Sequence, residues 1–417
     1  MKQISRLSLV AALALTFVTG LQAASLDIPA TDDGLPGAGP IRRQDWFQKT
    51  WTSKRTGWAK RVQQDQGALV FLGDSITQGW GDNIGGAFPG AKVANRGISG
   101  DTTRGVLIRL KEDVLDLNPA GVVLLIGTND LEEKAEPETI AGNLKLIIAA
   151  LKAHNAKMPI VLCQVFPSSA SKARPADKIK QVNQLYFAAV KGDAQVTFIE
   201  THPLFADAQG DAKKEEMPDL LHPNKAGYVK WAGAIRPVLE TLNLVKVDAD
   251  TFQNERGFVS LFNGQDLTGW GYKTNNFDGQ TASSEGRYVA KNNRLVVTTP
   301  PEGRKIAQLW TTKSFPKDFV MKLEFRATPN ADSGVFLRSP QLQCRDYLIA
   351  GPYTNLTQYK ALDWNEMIVA VTNNVAYCTC NGEVLNAAFK LPATGPIGLE
   401  GDRGQMEYRR IRLMELP

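Results

Sequence analysis

The sequence predicts two domains of different class, a parallel α/β domain followed by an all-β sandwich. At 417 residues the chain exceeds the size at which one hydrophobic core keeps growing. Over residues 67–243 short β-rich runs alternate with amphipathic helical stretches, the pattern of a parallel sheet between helices. After Val247-Asp248-Ala249-Asp250 the texture changes to short strands punctuated by Asn-Gly, Asp-Gly and Gly-Trp pairs, the pattern of a sandwich more than of a barrel.

In the first half, strands are expected at 68–72, 121–126, 159–163 and 196–199, and helices over 103–115, 138–154, 178–190 and 225–242. In the second, strands are expected at 319–325, 334–338, 366–371 and 406–414. Asn381-Gly382 between 375–380 and 383–385 predicts a tight hairpin, whose central residues need positive φ. The division is therefore an α/β domain over 40–244, a linker over 245–256 and a sandwich over 257–417.

The N-terminus carries Lys2 and Arg6, an apolar run over 7–18 and small residues at Gly20, Ala23 and Ala24. This reads as a signal peptide over 1–23, cleaved near Ala23, because the run falls short of the roughly 20 residues of a spanning helix. No cysteine follows the cleavage point to take a lipid, so the expected location is periplasmic or extracellular, without stable membrane insertion. Cys163, Cys344, Cys378 and Cys380 form no paired Cys-x-x-Cys and have no histidines nearby, which argues against zinc; export allows one disulfide from Cys344 to Cys378 or Cys380. The net charge of +5 is small for this length and scattered, so no nucleic-acid partner is implied.

Directly after the first strand comes Gly73-Asp74-Ser75-Ile76-Thr77-Gln78-Gly79, which puts a serine at the carboxyl edge of the sheet, where open α/β sheets bind ligands. A serine hydroxyl is a weak nucleophile unless a histidine, held by a carboxylate, takes its proton. Of three histidines, His154 ends a helical stretch beside Asn155, and His202 precedes Pro203; both read as surface or turn positions. Asp219-Leu220-Leu221-His222 instead sets a carboxylate three residues before a histidine, just ahead of the last helix of this half. Asp74 and Asp101 read as scaffold residues bonding loop amides, and Trp80 as a pocket wall, with stacking on a sugar as the alternative.

With Gly97-Ile98-Ser99-Gly100-Asp101-Thr102 and Gly127-Thr128-Asn129-Asp130 between them, these segments form four ordered blocks that resemble the SGNH, or GDSL-like, hydrolases over roughly residues 44–242. The likeness is to the branch with platelet-activating-factor acetylhydrolase catalytic subunits and bacterial carbohydrate esterases. It implies a flavodoxin-like sheet and a triad of Ser75, Asp219 and His222. It further implies an oxyanion hole made of the Ser75 and Gly100 N–H groups and the Asn129 side-chain amide. Gly100 has a structural reading as a turn glycine, and Asn129 as a cap. The chemistry requires no metal or organic cofactor.

From Phe258-Val259-Ser260-Leu261-Phe262-Asn263-Gly264 to the C-terminus the chain resembles the 3-keto-disaccharide hydrolase domains, through Leu323-Glu324-Phe325-Arg326, Asp332-Ser333-Gly334-Val335-Phe336-Leu337-Arg338, Trp364-Asn365-Glu366 and Ile397-Gly398-Leu399-Glu400. That implies a concanavalin-like jelly roll. Where the family alternates a glutamate and a glutamine along a strand, this chain has Gln343-Cys344-Arg345, so an acid for glycosidic chemistry is missing there. Glu324, Arg338 and Glu366 read as strand-surface ion pairs.

The joint expectation is an exported serine esterase acting on carbohydrate, with O-acetyl groups of an oligo- or polysaccharide as substrate and a sandwich that holds the glycan. Three alternatives stay open: a bifunctional esterase and glycoside hydrolase, an esterase of lipid or phospholipid acyl groups, and a glycan-binding protein with an inert site.

Overall fold

The computed structural model describes residues 26–299 and 307–417, so the leader expected over 1–23 lies outside the described residues. Five short strands, Leu69–Gly73 (β1), Val93–Gly97 (β2), Gly121–Leu125 (β3), Ile160–Cys163 (β4) and Val196–Ile199 (β5), pair in parallel in the order β2-β1-β3-β4-β5. Around them lie helices Asp45–Ala59 (α1), Ser75–Gly79 (α2), Thr103–Asp113 (α3), Thr128–Glu132 (α4), Pro137–His154 (α5), Ala176–Val190 (α6), His202–Phe205 (α7) and Lys225–Thr241 (α8).

The two-residue period of a strand divides the apolar side chains between two cores. Val70 and Leu72 enter one with Val106 of α3, Ile140 of α5 and Ile179 of α6. Leu69 and Phe71 enter the other with Trp231, Ile235 and Leu239 of α8. Because β2 and β3 flank β1, the chain changes direction of travel at β1, and a crevice opens at the carboxyl ends of the strands there. Trp80, expected in a pocket wall, is instead stacked on Trp231 with ring centroids 4.4 Å apart, inside the second core.

The second half is a sandwich of two antiparallel sheets, of eight and six strands. Along Phe319–Ala327 burial alternates, with Met321, Leu323 and Phe325 turned into the core and Lys322 and Glu324 outward. The expected hairpin forms, with Asn381 at φ 46° and Gly382 at φ 86°. Cys344 enters the core from the six-stranded sheet, and Cys378 and Cys380 enter it from the eight-stranded one. All four cysteines are buried and free, so the disulfide allowed above is not formed.

The connecting segment is strapped down by ion pairs. Asp250 takes two bonds from the Arg410 guanidinium, at 3.1 and 2.9 Å, and Glu255 takes two from Arg412, at 2.6 and 2.9 Å. The domains meet at the end of α8, where Glu240 accepts from Arg294 at 2.6 Å and Arg326 at 2.5 Å, and Arg326 also donates to Glu407 at 2.6 Å. Trp364 lies under the guanidiniums of Arg409, Arg326 and Arg294. Burial pushes the Glu240 carboxyl up, but its two arginines outweigh that and hold it below the ordinary glutamate range.

Candidate active site

Ser75 is the first residue of α2, and Asp74 caps the helix by accepting the Ile76 N–H at 2.9 Å, while the Ser75 N–H has no backbone acceptor among the described residues. A bond from the Tyr228 hydroxyl to the Ile76 carbonyl at 2.9 Å ties α2 to α8. Asn95 of β2 ties it to the sheet, donating to the Thr77 and Gly81 carbonyls at 2.7 and 2.9 Å.

The three residues predicted as a triad meet, although Ser75 and His222 are 147 positions apart in sequence. His222 Nε2 is 2.9 Å from Ser75 Oγ, and His222 Nδ1 is 2.7 Å from Asp219 Oδ2. The second oxygen of Asp219 accepts the backbone N–H groups of Leu221 and His222 at 3.0 and 2.7 Å. Burial raises the Asp219 carboxyl, but these bonds and the imidazole outweigh it and hold the group below the ordinary aspartate range. The loop is fixed from behind, since Leu220 adopts a left-handed φ of 64° and its carbonyl accepts the Ser168 hydroxyl at 2.8 Å. The His222 side chain is 41% exposed, so the chain of hydrogen bonds opens directly to solvent.

Gly100 follows β2 with φ 87°, and a Cβ there would stand 2.5 Å from the Trp46 ring, so both conformation and space demand glycine. Its N–H has no backbone acceptor among the described residues. Asn129 sits in α4 and donates one amide hydrogen to the Asp101 carbonyl at 2.9 Å, which leaves the second hydrogen free. Its amide oxygen accepts from Arg174 at 2.8 Å. Arg174, buried in the loop before α6, was not singled out in the sequence, which carries no local signal for it.

The expected scaffold aspartates are buried. Asp101 bonds the Thr102 N–H at 3.0 Å and Arg109 at 2.7 Å, yet burial raises it to about 6. Burial raises Asp74 to about 6 and Asp130, which accepts the Thr103 N–H and hydroxyl, to about 7. His154 is exposed at the end of α5. His202 is largely buried, and that burial lowers it to about 4.

Glu324 pairs with Arg409 and Arg410, and Glu366 with Arg412. Arg338 makes no ion pair among the described residues; it bonds the carbonyls of Lys317 and Pro392 and the Asn374 side chain. The strand Gln341–Arg345 has no acid of its own, but its neighbours supply two. Glu400 accepts from the Gln341 amide across Gly334, where a Cβ would collide with Gln341, and Asp332 pairs with Arg345 at 2.5 Å. The carbonyl oxygen of the Gln343 side chain is buried without a partner. Among the described residues no cluster of three or more His, Cys, Asp or Glu side chains could hold a metal, and no helix is long and apolar enough to cross a membrane.

Residues 71–230 match the GDSL-like Lipase/Acylhydrolase family. The first domain is a GDSL-like acylhydrolase domain. Such a domain is a hydrolase of ester bonds, and the Ser75 block lies at its start. Residues 257–414 match the 3-keto-alpha-glucoside-1,2-lyase-like domain, so the sandwich beside the GDSL domain is of that type. The chain is 28% identical over 196 residues to platelet-activating factor acetylhydrolase IB subunit alpha1 of Homo sapiens, covering 45% of this chain and 82% of that one. It is 28% identical over 206 residues to subunit alpha2 of Bos taurus, covering 48% and 87%. A GDSL-like lipase structure from Bacteroides thetaiotaomicron aligns with TM-score 0.40 and 26% identity, covering 46% of this chain and 96% of that chain.

Proposed function

We propose that the protein is an exported serine esterase that removes acyl groups, acetyl in particular, from carbohydrate, with Ser75, His222 and Asp219 as its triad. The observation that carries this is the continuous Ser75–His222–Asp219 hydrogen-bond chain at the carboxyl edge of the sheet. His222 Nε2 takes the Ser75 proton as Oγ attacks the ester carbonyl. Asp219 keeps the proton of Nδ1 facing itself, so that Nε2 is the free base. The resulting imidazolium then protonates the leaving alcohol, and water attacks the acyl-Ser75 by the reverse route.

Charge that builds on the carbonyl oxygen is met by the N–H groups of Ser75 and Gly100 and the second amide hydrogen of Asn129. Local bonding supports this reading for two of the three: Asp74 takes the N–H of Ile76, and Arg174 occupies the Asn129 amide oxygen, which leaves the nitrogen as the end available to an oxyanion. No step in this scheme calls for a metal or organic cofactor.

The preference for acetylated sugar draws its support from the neighbouring sandwich, whose family description names a glucoside. In that domain Glu400 and Asp332 beside Gln341 and Gln343 give polar groups suited to a glycan. Export is part of the same reading and is carried by the residues at 1–23 alone.

The test is acetate release from a panel of acetylated xylan, mannan and glucan. Release by the wild type and not by Ser75→Ala supports the assignment. Hydrolysis of long-chain acyl esters with no acetate released from any glycan replaces it with a lipid esterase.

A further inference from the structure

We propose that the cleft between the two domains binds a neutral oligosaccharide segment, and that this segment carries the ester to Ser75. The cleft encloses about 1230 Å³, enough for several sugar rings, and both domains build it. Its α/β wall comes from α6, α7 and the loop 206–213, and its sandwich wall from residues 346–349, 361–362 and 403.

Position links the cleft to the triad. Gln164 and Glu200, which line it, follow β4 and β5 directly, so they stand on the same carboxyl edge as Ser75 after β1. At about 5 Å per strand, the sheet order puts them roughly 10 and 15 Å along that edge from Ser75. The loop that lines the cleft at residues 206–213 carries Asp219 and His222 a few residues later.

The walls are held in place. Glu200 accepts from the Asn330 side chain at 2.8 Å and lies 3.8 Å from Arg403, while Leu362 and Ile349 pack against the apolar core around Trp231. Arg403 also lies 3.8 Å from Asp332 of the six-stranded sheet, which fixes this side of the wall to the sandwich.

The chemistry of the lining selects the ligand class. Four basic and four acidic side chains face the space, and some are already engaged, Lys230 by Glu216 and Glu200 by Arg403 and Asn330. A balanced lining gives neither a polyanion nor a polycation an advantage. Phe187 and the half-exposed Leu348 offer apolar surface between these polar groups. A chain of neutral pyranoses, with apolar C–H faces and a rim of hydroxyls, matches that mixture. The link to Ser75 rests on the carbohydrate-ester reading above; binding in the cleft does not.

The test uses the full chain with Ser75→Ala, titrated by calorimetry with unacetylated xylo-, manno- and gluco-hexaose. It adds two variants that place bulk on the rim from opposite domains, Gln184→Trp on α6 and Ala361→Trp on the sandwich loop. One hexaose should bind, and each variant should weaken it at least about tenfold. With Ser75 restored, the variants should raise KM for the acetylated hexaose and leave 4-nitrophenyl acetate turnover unaffected. Hexaose binding without any 4-nitrophenyl acetate turnover keeps the cleft and removes the esterase reading. No hexaose bound, or equal binding in the filled variants, overturns the cleft. So does a preference for long-chain acyl esters that the variants abolish.

Discussion

Arg174 donates to the side-chain oxygen of Asn129 over 2.8 Å while the Asn129 amide nitrogen donates to the Asp101 carbonyl over 2.9 Å, so the two contacts fix which way that amide is turned. Asn129→Ala should lower kcat by about 10²- to 10³-fold with little change in KM, because the lost contact forms only as the oxyanion develops. Arg174→Met should reduce kcat by a smaller factor, since the amide is still held by the Asp101 carbonyl. Steady-state kinetics on 4-nitrophenyl acetate checks both; a KM effect without a kcat effect speaks against the oxyanion role.

Asp219 holds one His222 tautomer, so Asp219→Asn should lower kcat by about 10³- to 10⁴-fold while the fold is retained. In the wild type the carboxyl lies below the ordinary aspartate range and stays ionised through mild acid. The Asp219 carboxylate should therefore still be charged where activity is lost on mild acidification. Infrared or NMR titration of the carboxylate checks this, and an Asp219 that takes up its proton together with the loss of rate would contradict it.

Burial raises Asp130 to about 7 in the folded state, above the roughly 4 of an unfolded aspartate. A raised folded value contributes stability that is fully present below about pH 4 and is lost as pH rises through about 7. Asp130→Asn keeps an acceptor for Thr103 and removes the titration. The Tm of the wild type minus that of the variant should thus fall steadily from pH 4 to pH 8. A difference that is flat across this window would show that Asp130 does not titrate in the fold.

Arg326 is buried between Glu240 at the end of α8 and Glu407 of the sandwich. Arg326→Met leaves Arg294 as the one guanidinium facing the two buried carboxylates and should destabilise the junction by about 3–5 kcal/mol. Denaturant unfolding would then separate into two transitions, one per domain. A single transition at the wild-type midpoint would show that this cluster does not couple the domains.

What the sequence made legible follows periodicity and order along the chain. The start of α3 at Thr103 and the end of α5 at His154 fall where the pattern puts them, because capping threonine and apolar spacing are local signals. β2 was not read as a strand, because Val93-Ala94-Asn95-Arg96-Gly97 holds only two apolar residues. Its polar side chains are spent inside the domain, Arg96 on Asp65 at 2.8 Å and Asn95 on the turn after Ser75. α1 was missed for a related reason: Phe47, Trp51 and Trp58 are spaced for one helical face, but lysines, arginines and threonines fill the gaps.

At the site, Ser75, Asp219 and His222 could be named because serine and Asp-x-x-His chemistry constrains residue type and order. Arg174 could not, since its partner Asn129 is 45 positions away and nothing local marks the contact. The placing of acids beside the strand Gln341–Arg345 was invisible for the same reason, because Glu400 reaches Gln341 and Asp332 reaches Arg345 across strands. Trp80 was misplaced because an aromatic beside a nucleophile looks alike in sequence whether it lines a pocket or, as here, stacks in a core.

The most direct test of the account is the rate of 4-nitrophenyl acetate hydrolysis by the wild type and by Ser75→Ala at equal folded concentration. The account predicts turnover by the wild type and a fall of at least about 10³-fold in kcat for the variant, with whatever remains coming from the oxyanion donors and binding. Undiminished turnover by Ser75→Ala would contradict the assignment of Ser75 as the nucleophile.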